Sequence, residues 1–365
     1  MLTATLLASG ESTQKLPTDA KWSVVLTAPP AAQPVFGGDQ IYIALQSGVV
    51  AAHRVADGSE AWRRDIRTTT PLAVDGGRLF VASGDAVYAL NADGSPAWHA
   101  DSGALTAPLL AQDGWVIAAA KDRLTAFRAA DGTIVWRRAI GASAERPSIE
   151  GSNLYVPLVD GRVLALELAA GQQKWERRLK GAPTEVLAFA DHIYVGSADK
   201  SFYCLDTDDG KVAWRQQIGA VVRGKAAADT LHVYMVALDN LLRAFDRGNG
   251  ALRWSPRGVP FRPTAGPVVL GRLVAVAGTT KEIRAFETLS GQPAGQLTLP
   301  EALLTHPAYA YSATAGELLI AAVTGNLTQQ WTLSLAVSVP GLPSIAVGPL
   351  TAIPGLLVPI PRPPR

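Results

Sequence analysis

The sequence holds a single cysteine, Cys204, among 365 residues. One thiol excludes an internal disulfide and any zinc site built from several cysteines. Charged residues are scarce at 18 per cent, and a formal net charge of +2 gives no bulk attraction for nucleic acid. No stretch reaches the roughly 18 to 20 apolar residues of a membrane-spanning helix. The chain, at 48 per cent hydrophobic residues, can instead bury a large core.

Residue patterns that bind metals or catalyse reactions are also missing. The five histidines have no HExxH or similar spacing. His192 and His232 share a repeat position that holds other polar residues elsewhere, which predicts a solvated turn. The Asp–Gly turns supply one carboxylate each, whereas calcium loops need several oxygen ligands in one segment. We therefore predict no metal site, no cofactor and no catalytic residue, and we expect Cys204 to be a small core residue because alanine fills its position in most repeats.

Tryptophan recurs along the chain at intervals of 36 to 40 residues. From the second occurrence onward a glycine stands four residues before each tryptophan, usually after Asp or Asn. Such pairs accept the positive φ of a tight hairpin turn. In the next repeat Gly295 takes the tryptophan position. The repeating tryptophans are Trp22, Trp62, Trp98, Trp136, Trp175, Trp214 and Trp254.

Short β-branched and aromatic segments, such as residues 41–43 and 193–195, lie between the turns and indicate strands. Each repeat supplies four strands, which is one blade of a propeller. We predict an all-β, eight-bladed β-propeller of four-stranded antiparallel blades, closed by the N-terminal strand around Trp22 pairing into the last blade. The tryptophans are expected to dock neighbouring blades, each indole N–H bonding a backbone group. The predicted divisions are a leader at 1–19, the propeller at 20–334 and an extension at 335–365.

Variable charge concentrates in the connections between blades, which gather on one face of a propeller. Convergent arginines there would suit carboxylate recognition, and the alternative is ordinary solvated loop charge. A tryptophan outside the repeating position follows an Asp–Gly turn; it is either an exposed contact or packed locally over its turn. The candidate interaction residues are Arg67, Trp115, Glu145, Arg146, Glu185, Arg223, Lys225 and Arg262.

The two ends of the chain differ from the repeats. The first ten residues resemble the end of a secretory signal without its basic start, so either the true start lies upstream or this is ordinary chain. Residues 335–360 carry no charge, and eight prolines fall between positions 340 and 364. Proline excludes helix and central strand, so we expect extended or polyproline-like chain. Its apolar character favours docking, on the propeller or on another subunit.

The repeat resembles the PQQ-like, or quinoprotein, β-propeller family, whose motif is seen in CLDTDDGKVAW from Cys204 to Trp214. Within that family the chain is similar to the BamB-like outer-membrane assembly scaffolds. The resemblance implies a non-catalytic protein-binding scaffold in a bacterial envelope complex, periplasmic or associated with the outer membrane. The alternatives are a PQQ- or metal-dependent oxidoreductase and a propeller that senses a ligand or peptide. The alcohol-oxidising members of the family typically carry adjacent cysteines, which this sequence lacks.

Overall fold

The computed structural model describes residues 16–17, 19–312, 317–326, 330–337 and 351–352, and these contain strands and turns but no α-helix. The strands before and within the first four blades are β1 (Ala20–Leu26), β2 (Val35–Gly37), β3 (Gln40–Ala44), β4 (Val49–Arg54), β5 (Glu60–Asp65), β6 (Ala73–Asp75), β7 (Arg78–Ser83), β8 (Ala86–Leu90), β9 (Pro96–Asp101), β10 (Leu110–Gln112), β11 (Trp115–Ala119), β12 (Arg123–Arg128), β13 (Ile134–Ala139), β14 (Ser148–Glu150), β15 (Asn153–Pro157), β16 (Arg162–Glu167) and β17 (Gln173–Arg178). The remaining strands are β18 (Leu187–Phe189), β19 (His192–Ser197), β20 (Ser201–Asp206), β21 (Val212–Gln217), β22 (Val222–Ala228), β23 (His232–Ala237), β24 (Leu241–Asp246), β25 (Arg257–Gly258), β26 (Val268–Leu270), β27 (Leu273–Ala277), β28 (Glu282–Glu287), β29 (Pro293–Thr298), β30 (Ala302–Leu303), β31 (Ala308–Ser312), β32 (Glu317–Gly325), β33 (Trp331–Val337) and β34 (Thr351–Ala352).

Seven sheets of four antiparallel strands follow one another, from β2–β5 to β26–β29, and each is one blade. Within a blade the strands run in sequence order from the centre of the ring outward, and the two middle strands are almost fully buried. Alternating apolar residues from adjacent blades interlock to form the core clusters between them. The predicted all-β, eight-bladed propeller is confirmed.

The eighth blade is assembled from both ends of the described chain. Its sheet order is β1–β33–β32–β31–β34, so the N-terminal strand forms the outer edge, with Val24 opposite Leu333. This is the closure that the sequence predicts. Strand β33 continues to Val337, three residues beyond the predicted propeller boundary at 334. Leu16, placed in the leader at 1–19, is 4% exposed and belongs to the core between the seventh and eighth blades.

The repeating tryptophans lie between neighbouring blades. Each indole N–H donates to a backbone carbonyl in the turn between the two outermost strands of the next blade, at 2.7 to 3.2 Å. The glycine of that turn has positive φ and lies directly against the indole ring, so the turn glycine of one repeat packs on the tryptophan of the preceding repeat. The pairs are Trp22 with Val55, Trp62 with Ala92, Trp98 with Ala129, Trp136 with Leu168, Trp175 with Thr207, Trp214 with Arg247 and Trp254 with Thr288.

Strand order divides the turns between two faces of the ring. The connection from each outer strand to the next inner strand lies on one face, which we call the connection face. The hairpin after each inner strand lies on the opposite face, because the inner strand runs from one face of the ring to the other. Loops of the connection face therefore lead directly into the strands that line the centre.

Candidate functional site

Five of the predicted interaction residues lie where three successive connections enter the centre of the ring. Glu145 and Arg146 precede β14 by two or three residues, Glu185 precedes β18 by two, and Arg223 and Lys225 lie within β22. The inner strands of these blades, β14, β18 and β22, run side by side. The five residues are thereby brought together near the connection face, and we call them the central cluster.

A bulge in β22 positions one member of the cluster. This inner strand has seven residues, whereas the inner strands of six other blades have three. Its register shifts between Arg223 and Ala227, where residues 224–226 lie opposite a single residue of β23. Gly224 has a φ of +64°, and the backbone around Lys225 packs so closely on Gly266 that a Cβ on either glycine would clash. A bulge redirects side chains at a functional surface, and here it places Lys225 in the central cluster.

The charges of the cluster act on one another. Burial lowers the pKa of Lys225; the carboxylates of Glu185 and Glu150 oppose this shift, and the nearby guanidinium of Arg146 adds to it. Lys225 is partly exposed as a residue. The desolvation of its ammonium group is therefore incomplete.

Glu145 shows the opposite shift. Burial raises the pKa of its carboxyl group, the carboxylate of Glu185 adds to the shift, and Arg223 opposes it. Glu145 and Arg223 are both exposed to solvent at the edge of the cluster, so water screens the shift. The carboxylate of Glu145 remains accessible to a group arriving from the connection face.

The cluster side chains have no partner within the described part of the chain. None of the five forms a side-chain hydrogen bond or an ion pair there, and the Nε of Arg146 is buried without an acceptor. Several charged side chains elsewhere in the ring are paired, as Arg243 is with Asp239 at 2.6 Å, while the Nε atoms of Arg78, Arg123 and Arg257 also lack an acceptor. Unpaired charges of both signs beside an open face can form charge-assisted hydrogen bonds with an incoming partner.

The other candidates lie apart from the cluster. Arg67 is exposed on the connection face, over the hairpin at Gly48, and Arg262 is exposed on the connection to the seventh blade. Trp115 begins β11 and lies on the opposite face, partly buried against the core between the third and fourth blades. Its location favours local packing over the exposed contact. The interaction role of Arg67 and Arg262 stays a prediction.

The expectation of a solvated turn is wrong for His232, which is 1% exposed. Its Nε2 accepts a hydrogen bond from Arg253 at 3.1 Å. On its other side the hydroxyl of Tyr234 donates to Asp229 at 2.6 Å and lies 3.2 Å from the His232 Nδ1. Asp229, Tyr234 and Arg253 of the same blade contact this side chain, which a comparison of repeat positions does not reveal. Cys204, in contrast, is fully buried as expected, and burial raises the pKa of its thiol.

Sequence reasoning also missed the side chains that join neighbouring inner strands. Ser148 Oγ accepts a hydrogen bond from the amide of Ala188 at 3.2 Å, and Glu150 Oε1 accepts one from the amide of Ala190 at 3.0 Å. Ala190 has a positive φ of 57°, which the sequence does not indicate. Among the described residues, no three or more His, Cys, Asp or Glu side chains are grouped to hold a metal ion. That same part of the chain has no helix of the length and hydropathy needed to cross a membrane.

Comparison with known proteins identifies the family. The sequence model described as "Outer membrane protein assembly factor BamB" matches residues 46–188 and 181–329. The assembly factor BamB of Moranella endobia is 25% identical over 314 residues, covering 76% of this chain and 80% of that protein. The crystal structure of BamB from Moraxella catarrhalis superimposes with a TM-score of 0.70 at 19% identity, over 87% of this chain and 99% of that one. The quinohemoprotein alcohol dehydrogenase of Comamonas testosteroni gives 0.66 at 14% identity, over 88% and 77%, which shows a shared fold alone. The two matches of the sequence model together span well over half of the chain, which therefore belongs to the BamB family of outer membrane protein assembly factors.

Proposed function

We propose that this protein is a non-catalytic binding scaffold in the assembly of outer membrane proteins, and that it works at the periplasmic side of the bacterial outer membrane. Family membership supports the process, because the relatives carry the name of outer membrane protein assembly factors. The architecture suits a scaffold. A closed ring of eight similar blades exposes few sheet edges, and its short connections present side chains on a rigid frame.

The central cluster is the proposed contact surface. The observation that carries this proposal is that five charged side chains, set around a bulged inner strand, have no hydrogen-bonding or ionic partner within the described residues. Because the cluster contains both carboxylates and cationic groups, the matching surface of the partner protein carries both signs of charge. Such complementarity contributes mostly to specificity and to the rate of association.

The experiment compares charge-reversal variants in cells that lack their own BamB-family protein. Arg223→Glu and Glu145→Lys change exposed members of the cluster. Lys211→Glu is the matched control, since Lys211 is exposed on a hairpin of the opposite face, beside Asp209. We expect wild type and the control to restore the level of outer membrane β-barrel proteins and to co-purify with the assembly complex.

The cluster variants are expected to fail in both measurements while they unfold at the wild-type denaturant concentration. Failure of wild type to restore barrel proteins would contradict the proposed process. Equal activity of Arg223→Glu, Glu145→Lys and the control Lys211→Glu would contradict the proposed surface. The double variant E145R/R223E distinguishes contact from folding, because it keeps opposite charges at the two positions and inverts the pattern that the partner meets.

The non-catalytic part of the proposal has its own test. Some proteins of the same fold are quinone-dependent alcohol dehydrogenases. Titration of the purified protein with pyrroloquinoline quinone and calcium is expected to give no saturable absorbance change. A stoichiometric change together with alcohol-dependent dye reduction would overturn the scaffold proposal.

A further inference from the structure

The eighth blade is covered by a terminal strand on each of its edges. Strand β1 pairs along the outer edge, and the short strand β34 pairs along the inner edge, antiparallel to β31. The register places Thr351 opposite Tyr311 and Ala352 opposite Ala310. The inner strand here has five residues, whereas the inner strands of six other blades have three. The longer strand offers a longer edge on which another segment can pair.

An uncovered strand edge leaves amide and carbonyl groups without partners. In other blades, amides on the inner strand or in the hairpin after it bond to side chains of the preceding blade: Ser148 and Glu150 accept from Ala188 and Ala190, and Asp75 accepts from Gly114 at 2.8 Å. In the eighth blade a strand from the C-terminal extension takes this place. A strand can pair through its backbone whatever its side chains are. The uncharged residues 335–360 can therefore supply a pairing strand.

The pairing register also shows that the segment can reach this edge within one molecule. Ala352 pairs with Ala310, Ala310 with Leu319, and Leu319 with Val337, so four residues form one row across the sheet. At about 4.8 Å between neighbouring strands, Val337 and Ala352 are separated by roughly 14 Å. The residues that join them could extend over several times that distance. A short tether of this kind raises the effective concentration of the segment to the millimolar range.

The position of β34 gives the pairing a second consequence. Strand β34 lies beside β2, the inner strand of the first blade, as well as on β31. Phe36 of β2 and Ala310 of β31 are both almost fully buried in the core at this junction. The first and last blades meet here, so the segment spans the point where the ring closes.

We propose that the inner edge of β31 is a binding site for an extended, uncharged peptide segment, and that Thr351–Ala352 of the same molecule occupies it. The segment acts as an inner latch: it pairs with the last blade, lies against the first, and closes the ring from within while β1 closes it from outside. This inference does not depend on the proposed function in membrane assembly.

The first test keeps the chain complete. The variant T351P/A352P removes two amide donors and disfavours the paired conformation. Hydrogen–deuterium exchange of the segment 308–312 is expected to become at least about 10-fold faster than in wild type. The control L356P/L357P changes the same extension beyond β34 and is expected to leave exchange of that segment unchanged. Unchanged exchange in T351P/A352P, or equal acceleration in both variants, would overturn the proposal.

The second test supplies the segment as a separate molecule. A synthetic peptide of residues 347–355, with one lysine added at each end for solubility, is expected to bind saturably to a chain ending at residue 338. Binding to the full-length chain should be at least about 10-fold weaker, because the edge is already occupied. The same peptide with prolines at positions 351 and 352 should not bind.

Equal binding of the peptide to both chains, or of the two peptides to the shortened chain, would refute the site. Sedimentation tests whether the segment binds to a second copy of the chain instead of to its own molecule. A full-length dimer that dissociates when the extension is removed would place the segment on a second copy and would overturn occupancy within one molecule.

Discussion

Replacing Gly210 by alanine tests the contact between tryptophan and glycine that joins successive blades. Gly210 has a φ of +66°, and a Cβ added there would lie 2.5 Å from the Cε3 atom of Trp175 in the preceding blade. Gly219, in the same repeat, is the matched control. Its φ is +83°, and an added Cβ would meet nothing within 4 Å. The two variants share the backbone penalty and differ in the clash with the indole.

The expected magnitudes follow from these two contributions. Alanine at positive φ costs about 1–2 kcal/mol, partly offset by the lower entropy of the unfolded chain. We therefore expect Gly219→Ala to lower the free energy of unfolding by about 1 kcal/mol. Gly210→Ala carries an overpacking penalty of about 1–3 kcal/mol in addition, because the ring of Trp175 is 9% exposed and its N–H is fixed to the carbonyl of Thr207 at 2.9 Å. The difference between the variants isolates the indole contact.

Urea unfolding followed by both fluorescence and circular dichroism measures these changes, provided that the two transitions coincide. A double-mutant cycle with Trp175→Ala completes the assay. That substitution alone should cost about 3–5 kcal/mol, and in its background the extra penalty of Gly210→Ala should disappear, giving a coupling energy of about 1–3 kcal/mol. Equal losses for the two glycine variants, or a cycle without coupling, would refute the assignment of Trp175 as a blade-docking residue.

Three further predictions concern single side chains. Trp62→Phe should cost about 1 kcal/mol in urea unfolding, because it loses the hydrogen bond to Ala92 at 2.7 Å; a cost as large as that of Trp62→Ala would contradict this. Lys225→Met should raise the free energy of unfolding at neutral pH, because burial lowers the pKa of Lys225 and the unfolded state therefore binds its proton more strongly than the folded state. This gain in stability should shrink as the pH rises toward the unfolded pKa of about 10.4. A gain that grows with pH would contradict the prediction. Cys204 should react with a thiol reagent at least about 10-fold faster in denaturant than in the native protein, since burial raises its pKa; equal rates would show an accessible thiol.

The sequence determines the ring because its signal is repeated. Tryptophan and glycine recur in register in each of several repeats, so their spacing alone predicts the blade, its turns and its order around the ring. The repeat also predicts the burial of Cys204, because a position that holds alanine in most blades has little room in all of them. Features shared by many repeats are averaged over many examples, and this is why they can be read from one chain.

Features of a single repeat are much harder to predict. The sequence places Arg223 and Lys225 on a loop. The spacing of the repeats does not show that both residues belong to a seven-residue strand, or that the bulge in this strand packs on Gly266 of the next blade. His232 is likewise buried by contacts with Arg253 and Tyr234, which the sequence does not show. The charge of the cluster residues and their position in or near the connections are visible in the sequence. Which of them meet depends on contacts between blades.

The junction between the seventh and eighth blades shows how the ring accommodates a missing tryptophan. Gly295 occupies the tryptophan position of the seventh repeat, so no indole is available there to fill the gap. A Cβ on Gly295 would lie 3.8 Å from the backbone nitrogen of Leu16, and the side chain of Leu16 is buried with Leu297 and Ile320. Residues just before β1 thus occupy the junction that lacks a tryptophan. Ring closure therefore depends on the N-terminal segment at two places, the outer edge of the eighth blade and this gap, and the loss of one repeated residue is accommodated by chain from outside the repeat.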